Sequence, residues 1–307
     1  MVAMRIFGRA GAILAMLGML ATPAVAQNEY HDNTPDEARG KPVNQMTANL
    51  ALLQAAEKGW DEEIEKLLAQ GANVAARNRF GSTPLLVAAG NGHRKSVKLL
   101  LESGSDINHL NLGGSTALIR AAEGGHTRVA KMLIEAGAAV EQANNKGVTA
   151  LTAAAYNGDD DIVEMLLAKG ADPGYVDRTG KPAIVYAAAK GFTDTVRLLL
   201  KAGVDPNGVY GNDLTALMWA AGHANDVPVK DGVATVELLI EAGADLDRQD
   251  NRGRTALMTA AALDHAAVVE TLLKAGARAD ITDAQGKSAR DMAGGEAVLA
   301  ALAANGQ

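Results

Sequence analysis

Cysteine is missing from all 307 residues. Disulfides, thiolate metal sites and a cysteine nucleophile are thereby excluded, although the absence assigns the chain to no compartment. Aromatic residues are scarce, with 2 Trp, 5 Tyr and 3 Phe, while 48% of the chain is hydrophobic and Ala, Leu and Gly predominate. A core of such small aliphatic side chains suits closely spaced helices better than a sandwich of sheets. Positive charge is also in short supply: 29 Lys and Arg stand against 36 Asp and Glu, a net −7. That balance gives no reason to bind phosphate backbones or anionic lipid, so nucleic acid and membrane surfaces are not expected as partners. Several motifs are lacking too. There is no H-E-x-x-H pair, no G-x-S-x-G elbow and no glycine-rich phosphate loop of the form G-x-x-x-x-G-K-[ST]. The contrasting class, a hydrolase or metal-dependent enzyme, therefore finds no nucleophile, no paired acid and base and no cofactor cradle. No catalytic residue, metal or cofactor is expected.

What is present begins with an export signature. Arg5 and Arg9 form a basic start, residues 11–21 are an apolar run, and Ala24-Val25-Ala26 supplies small residues for cleavage. Residues 1–26 are read as a signal peptide cut after Ala26, because that run is shorter than the roughly 20 residues needed to span a bilayer. No other stretch is apolar enough to span one, so the mature chain is expected to insert into no membrane and to be periplasmic or secreted. Residues 27–47 are polar, contain two prolines and show no helical period; they are read as a flexible leader.

From residue 48 onward one pattern recurs. Glycines at 71, 104, 137, 170 and 203 follow one another at intervals of 33, then Gly243 comes forty residues on and Gly276 at 33 again. A second series, Gly81, Gly114, Gly147, Gly180 and Gly253, keeps the same beat, with Asp213 in that place in one unit. Two interlocked series in one register mark a repeat architecture. Within a unit the order is constant. Thr83 is placed to N-cap a first helix, with Pro84 at its first position, where the missing N–H costs nothing. The pair Ala88-Ala89 permits close helix approach. A second helix, read as Ser96–Ser103, carries its apolar residues on one side and ends at a glycine able to take left-handed dihedrals.

The fragments Gly81-Ser82-Thr83-Pro84-Leu85, Gly114-Ser115-Thr116-Ala117-Leu118, Gly147-Val148-Thr149-Ala150-Leu151 and Gly253-Arg254-Thr255-Ala256-Leu257 resemble the ankyrin family. The resemblance implies an all-α ankyrin-repeat solenoid of helix-turn-helix units joined by β-turn or hairpin loops. The units are placed at about 48–77, 78–110, 111–143, 144–176, 177–209, 210–249 and 250–282, with a closing unit at 283–307. One departure is consistent. The family carries histidine at the fourth place of its T-P-L-H motif, whereas Leu86, Ile119, Thr152, Val185, Met218 and Met258 stand there, so apolar packing is expected to replace the usual Thr–His bonding. The closing stretch Ala293 to Gln307 is Ala-rich and expected to fray.

His93, His126 and His265 share one scaffold position and are read as structural. Asp159, Asp160 and Asp161 are read as solvated charge at a helix N-terminus. The resemblance also implies partner contacts at turn tips and along the first helices, which line the concave face of such a solenoid. On this chain those places hold Arg79, Phe80, Lys146, Arg178, Tyr210 and Arg252 at or beside the tips, and Tyr156, Lys190 and His223 on the first helices. One position away, Arg120, Tyr186 and Trp219 also face inward or sideways. Aromatics and Arg dominate binding hot spots, which favours binding for this set over gap-filling between units. Residues 224–232 break the strict period and are read as a loop joining the two helices of their unit. The expectation is a monomeric, non-enzymatic module that binds a partner protein through its concave face in the bacterial periplasm; a secreted effector acting on a host or competitor protein is the alternative.

Overall fold

Residues 44–223 and 227–304 are described by a computed structural model of the chain. The expected signal peptide, most of the leader, and Ala224, Asn225 and Asp226 of the insertion lie outside the described residues. Sixteen helices fall within them, and they alternate as first and second members of successive units. The first members are α1 (Gln45–Lys58), α3 (Pro84–Gly90), α5 (Ala117–Glu123), α7 (Ala150–Asn157), α9 (Ala183–Ala189), α11 (Ala216–Ala221), α13 (Ala256–Ala262) and α15 (Ala289–Met292). The second members are α2 (Asp61–Ala69), α4 (Arg94–Glu102), α6 (Thr127–Glu135), α8 (Asp160–Ala168), α10 (Thr193–Lys201), α12 (Val229–Glu241), α14 (Ala266–Lys274) and α16 (Glu296–Ala304). The two helices of each unit from α1–α2 to α13–α14 pack together, and equivalent helices of successive units pack on one another, so two helical layers run side by side along the repeat.

Local chemistry sets the first helices. Thr83, Thr116, Thr149, Thr215 and Thr255 each sit at N-cap with extended dihedrals and accept a hydrogen bond from the N–H three residues on. Pro182 holds the same place in the fifth unit, where its side chain has no oxygen to do so. The Ala pairs of these helices are fully buried, and so are Leu86, Ile119, Val185, Met218 and Met258 at the fourth motif place. Apolar packing there is as expected, except that Thr152 pairs hydroxyl to hydroxyl with Thr149 at 3.1 Å.

Histidine nevertheless ties units together, from a different place. His93 and His126, at the N-caps of α4 and α6, contact the carbonyls of Glu57 and Gly90 in the preceding unit at 2.9 and 3.1 Å through Nε2, and His265 contacts Ala221 at 2.9 Å through Nδ1. Their scaffold role is therefore borne out. The glycine linking the two helices of the preceding unit makes room for this residue. A Cβ on Gly92 would lie 2.6 Å from the His126 ring, and one on Gly158 would lie 2.7 Å from Phe192, which replaces histidine in its unit. Both glycines also have positive φ, +75° and +71°, so two requirements coincide there.

Four expectations are corrected. The first unit begins earlier than placed, with α1 starting at Gln45 on an Asn44 cap whose side chain accepts from Met46 N–H at 3.1 Å. The second helix of the 78–110 unit runs Arg94–Glu102 rather than Ser96–Ser103. The apolar period becomes visible only at Val97, one turn after the helix starts. The insertion is not all loop: Val229 to Gly232 form the first turn of α12. Within the closing stretch Glu296–Ala304 form α16, with Val298, Ala301 and Leu302 buried, while residues 305–307 lie outside the described residues.

Candidate functional site

The turn that opens each unit is built by one side chain. Oδ1 of Asn78 accepts from Phe80 and Ser82 N–H at 2.9 and 3.0 Å, and Asn111, Asn144, Asp177, Asp250 and Asp283 make the same pair of bonds in their own units. These bonds satisfy the tip backbone locally and leave the residues between free to project. In the sixth unit Tyr210 occupies that place and cannot anchor a turn in this way. That unit instead forms the only strand pair among the described residues, β1 (Val209–Tyr210) against β2 (Leu214–Thr215), closed by left-handed Asn212 and Asp213 at φ 63° and 61°. Asp213 does take the place of the turn glycine, as its position in the series implied.

Successive tips are stitched by backbone bonds. Leu112 N–H donates to Phe80 C=O at 3.0 Å, Asn145 to Gly113 at 2.8 Å, Arg178 to Lys146 at 3.1 Å, Asn251 to Asn212 at 3.1 Å and Ala284 to Arg252 at 2.9 Å. One step breaks the series. Gly211 lies beside the Thr179 carbonyl without donating to it.

Phe80 projects at 57% exposure with the Arg79 guanidinium 4.7 Å above its ring, and Leu112 on the next tip is 73% exposed. Lys146, Arg178 and Arg252 are exposed on later tips, Arg252 being forked onto the Asp250 carboxylate at 3.0 and 3.1 Å. On α5, Arg120 is held by Glu123 at 2.5 Å. Tyr156 is half-buried, edge-on to Tyr186 at 5.9 Å, with Lys190 Nζ 4.2 Å from its ring centre. Half-buried Trp219 has Lys181 Nζ 5.5 Å from its ring centre, and its indole N–H is buried without a hydrogen-bond partner. Tyr210 packs partly into the core, and burial raises its phenol above the ordinary value.

Two residues expected on the contact face lie inside it instead. Tyr186 is 9% exposed and donates its hydroxyl to the Asp177 carboxylate. Burial, followed by that carboxylate, pushes the phenol's titration far above its usual range, so it stays a donor. His223 is 5% exposed and stacks on His265 with ring centres 4.0 Å apart. Gly232 lies against it, where a Cβ would come within 2.4 Å of the ring. Both fill space between units, the lesser of the two roles weighed for the set.

The acidic run Asp159, Asp160 and Asp161 stands at the N-terminus of α8 as expected, but it is not all solvated: Asp159 Oδ2 is buried without a hydrogen-bond partner. Burial, then the Asp160 charge, raises the Asp159 carboxyl. Asp160 also accepts from the buried Thr195 hydroxyl at 2.5 Å. Among the described residues no group of three or more His, Asp or Glu is placed to hold a metal ion. None of their helices is long and apolar enough to cross a membrane.

The family model for ankyrin repeats (3 copies) matches the chain at residues 31–111, 103–177, 169–229, 184–283 and 229–305. The chain belongs to the ankyrin-repeat family. Ankyrin repeats are generally protein–protein interaction modules and typically non-enzymatic scaffolds. No curated protein matches the chain.

Proposed function

We propose that this ankyrin-repeat chain is a non-enzymatic recognition protein that holds a partner protein against the edge formed by its turn tips and first helices. The observation that carries the reading is the display of Phe80 and Leu112, two large apolar side chains exposed at successive tips whose backbones are fixed by their own side-chain and inter-tip bonds. Rigid tips cost little entropy on binding, and exposed apolar groups at their ends supply contact area. Arg79, Lys146, Arg178 and Arg252 extend the face along the repeat, with Tyr156 and Trp219 behind them on the first helices and Lys190 at the C-cap of α9. Tyr186 and His223 support it from beneath.

The site of action is the periplasm, or the exterior after secretion. Arg5, Arg9, the apolar run and Ala24-Val25-Ala26 support this reading. Cell fractionation with N-terminal sequencing tests it: mature protein beginning at Gln27 outside the cytoplasm is expected, and a cytoplasmic chain retaining Met1 overturns it. The recognition reading is tested by replacing Phe80 and Leu112 with Ala and measuring capture of partners from a periplasmic extract. Partner recovery falls at least about tenfold while the fold is kept. Undiminished recovery overturns the reading.

A further inference from the structure

Charge is distributed unevenly over this acidic chain. At the tips, Arg77, Arg79, Lys146, Arg178, Arg252 and Lys287 are exposed. Of the acids in the same turns, Asp177, Asp250 and Asp283 are each buried and spent on backbone N–H groups, leaving Asp213 exposed. The tip edge is thus positive while the chain as a whole carries −7.

The fifth unit carries Arg178, Lys181 and Lys190. Lys190 and Lys181 lie over Tyr156 and Trp219, with Arg178 exposed on the intervening tip. The one interrupted tip step lies in the same sector: the Thr179 carbonyl and the Gly211 N–H, both on exposed residues, do not bond to each other. We propose that this sector receives an extended acidic segment of the partner protein. Its carboxylates meet Arg178, Lys181 and Lys190, an apolar side chain rests beside Trp219, and its main chain bonds at the open step between Thr179 and Gly211.

The positive edge selects acidic partners, and complementary charge raises both specificity and association rate. A nucleic acid is disfavoured on two grounds. The net negative chain repels a polyanion at long range, and the two rings have lysines over their faces, so they do not offer open platforms for bases.

This inference rests on the protein-recognition reading and is tested separately from it. Random-sequence peptides displayed on phage are selected against the full chain, and the enriched sequences are synthesised. The selected peptides are expected to carry a clear excess of Asp and Glu, and to bind more weakly as salt rises. Lys181→Glu combined with Lys190→Glu is expected to weaken them at least about tenfold. Lys181→Gln with Lys190→Gln, which keeps much of the packing stems, is expected to weaken them by a smaller factor in the same direction. Circular dichroism confirms that each variant is folded.

Enrichment of neutral or basic peptides, acidic peptides unaffected by either double variant, or no enrichment at all overturns the inference. So does a single-stranded oligonucleotide that binds as tightly as the acidic peptides. If any of these occurs while Phe80→Ala with Leu112→Ala still abolishes capture from extract, recognition stands and only the assigned chemistry falls. Capture indifferent to those tip substitutions removes the recognition reading itself.

Discussion

Replacing Phe80 and Tyr186 separately by alanine is expected to divide two roles that their positions in sequence suggested they shared. Phe80 is 57% exposed, with the Arg79 guanidinium 4.7 Å from its ring centre. Truncating a ring left more than half in water removes little buried area, so the expected cost is at most about 1 kcal/mol. Tyr186 is 9% exposed, meets Tyr156 edge-on and donates to the Asp177 carboxylate. Its loss creates a cavity costing about 3–5 kcal/mol. Tyr186→Phe keeps the ring and removes only the hydrogen bond to a charged acceptor, about 1.5–3 kcal/mol. The stability order is therefore wild type, Phe80→Ala, Tyr186→Phe, Tyr186→Ala. Urea unfolding followed by circular dichroism measures it, with partner capture measured on the same samples. Phe80→Ala loses capture at nearly native stability, whereas Tyr186→Phe keeps most of its capture under conditions where it is folded. A Tyr186→Ala protein as stable as wild type refutes the assignment of that side chain to the interior.

Three further outcomes follow from the geometry. Gly170→Ala and Gly158→Ala both force alanine to positive φ, +87° and +71°, but a Cβ at 170 meets nothing within 4 Å while one at 158 meets the Phe192 ring. The first is expected to cost about 1–2 kcal/mol and the second about 1–3 kcal/mol more by urea unfolding, and equal costs contradict the inter-unit packing described. Burial, with His223 stacked alongside, holds His265 below its usual 6.5 against the opposing pull of the Ala221 carbonyl and Asp264. The folded state thus favours neutral imidazole, while the unfolded chain takes a proton near 6.5. Stability from this site is complete above that pH and is lost as pH falls toward the folded value. His265→Gln should flatten the dependence of the urea midpoint between pH 7.5 and 5, and an unchanged slope counts against it. Deleting Ala224, Asn225 and Asp226 is expected to leave capture within about twofold, since loop length there costs little; a larger loss would make the insertion part of the face.

The repeat, the Thr caps and the buried Ala pairs were legible because each recurs at a fixed place with one physical job. The role of His93, His126 and His265 was legible as structural but not as bonding, because the acceptor is a carbonyl of the preceding unit and carbonyls leave no trace in sequence. The turn anchors Asn78, Asn111, Asn144, Asp177, Asp250 and Asp283 were missed, though a signal existed: Asn or Asp stands three residues before the turn glycine, on the same beat. Tyr210 breaks that series, which is why its unit uses a strand pair. Tyr186 and His223 were misplaced because position in a unit fixes which helix carries a side chain, not how deeply a large ring sinks against small neighbours. That depends on Asp177 below one ring and on Gly232 and His265 beside the other.

The central claim is that partners dock on the tips and first helices. Lysine cross-linking with mass spectrometry, on the full chain bound to protein captured from a periplasmic extract, addresses it most directly. Cross-links to the partner are expected at Lys146, Lys181 and Lys190. Cross-links confined to Lys98, Lys131, Lys201 and Lys274, on the second helices, would contradict the account.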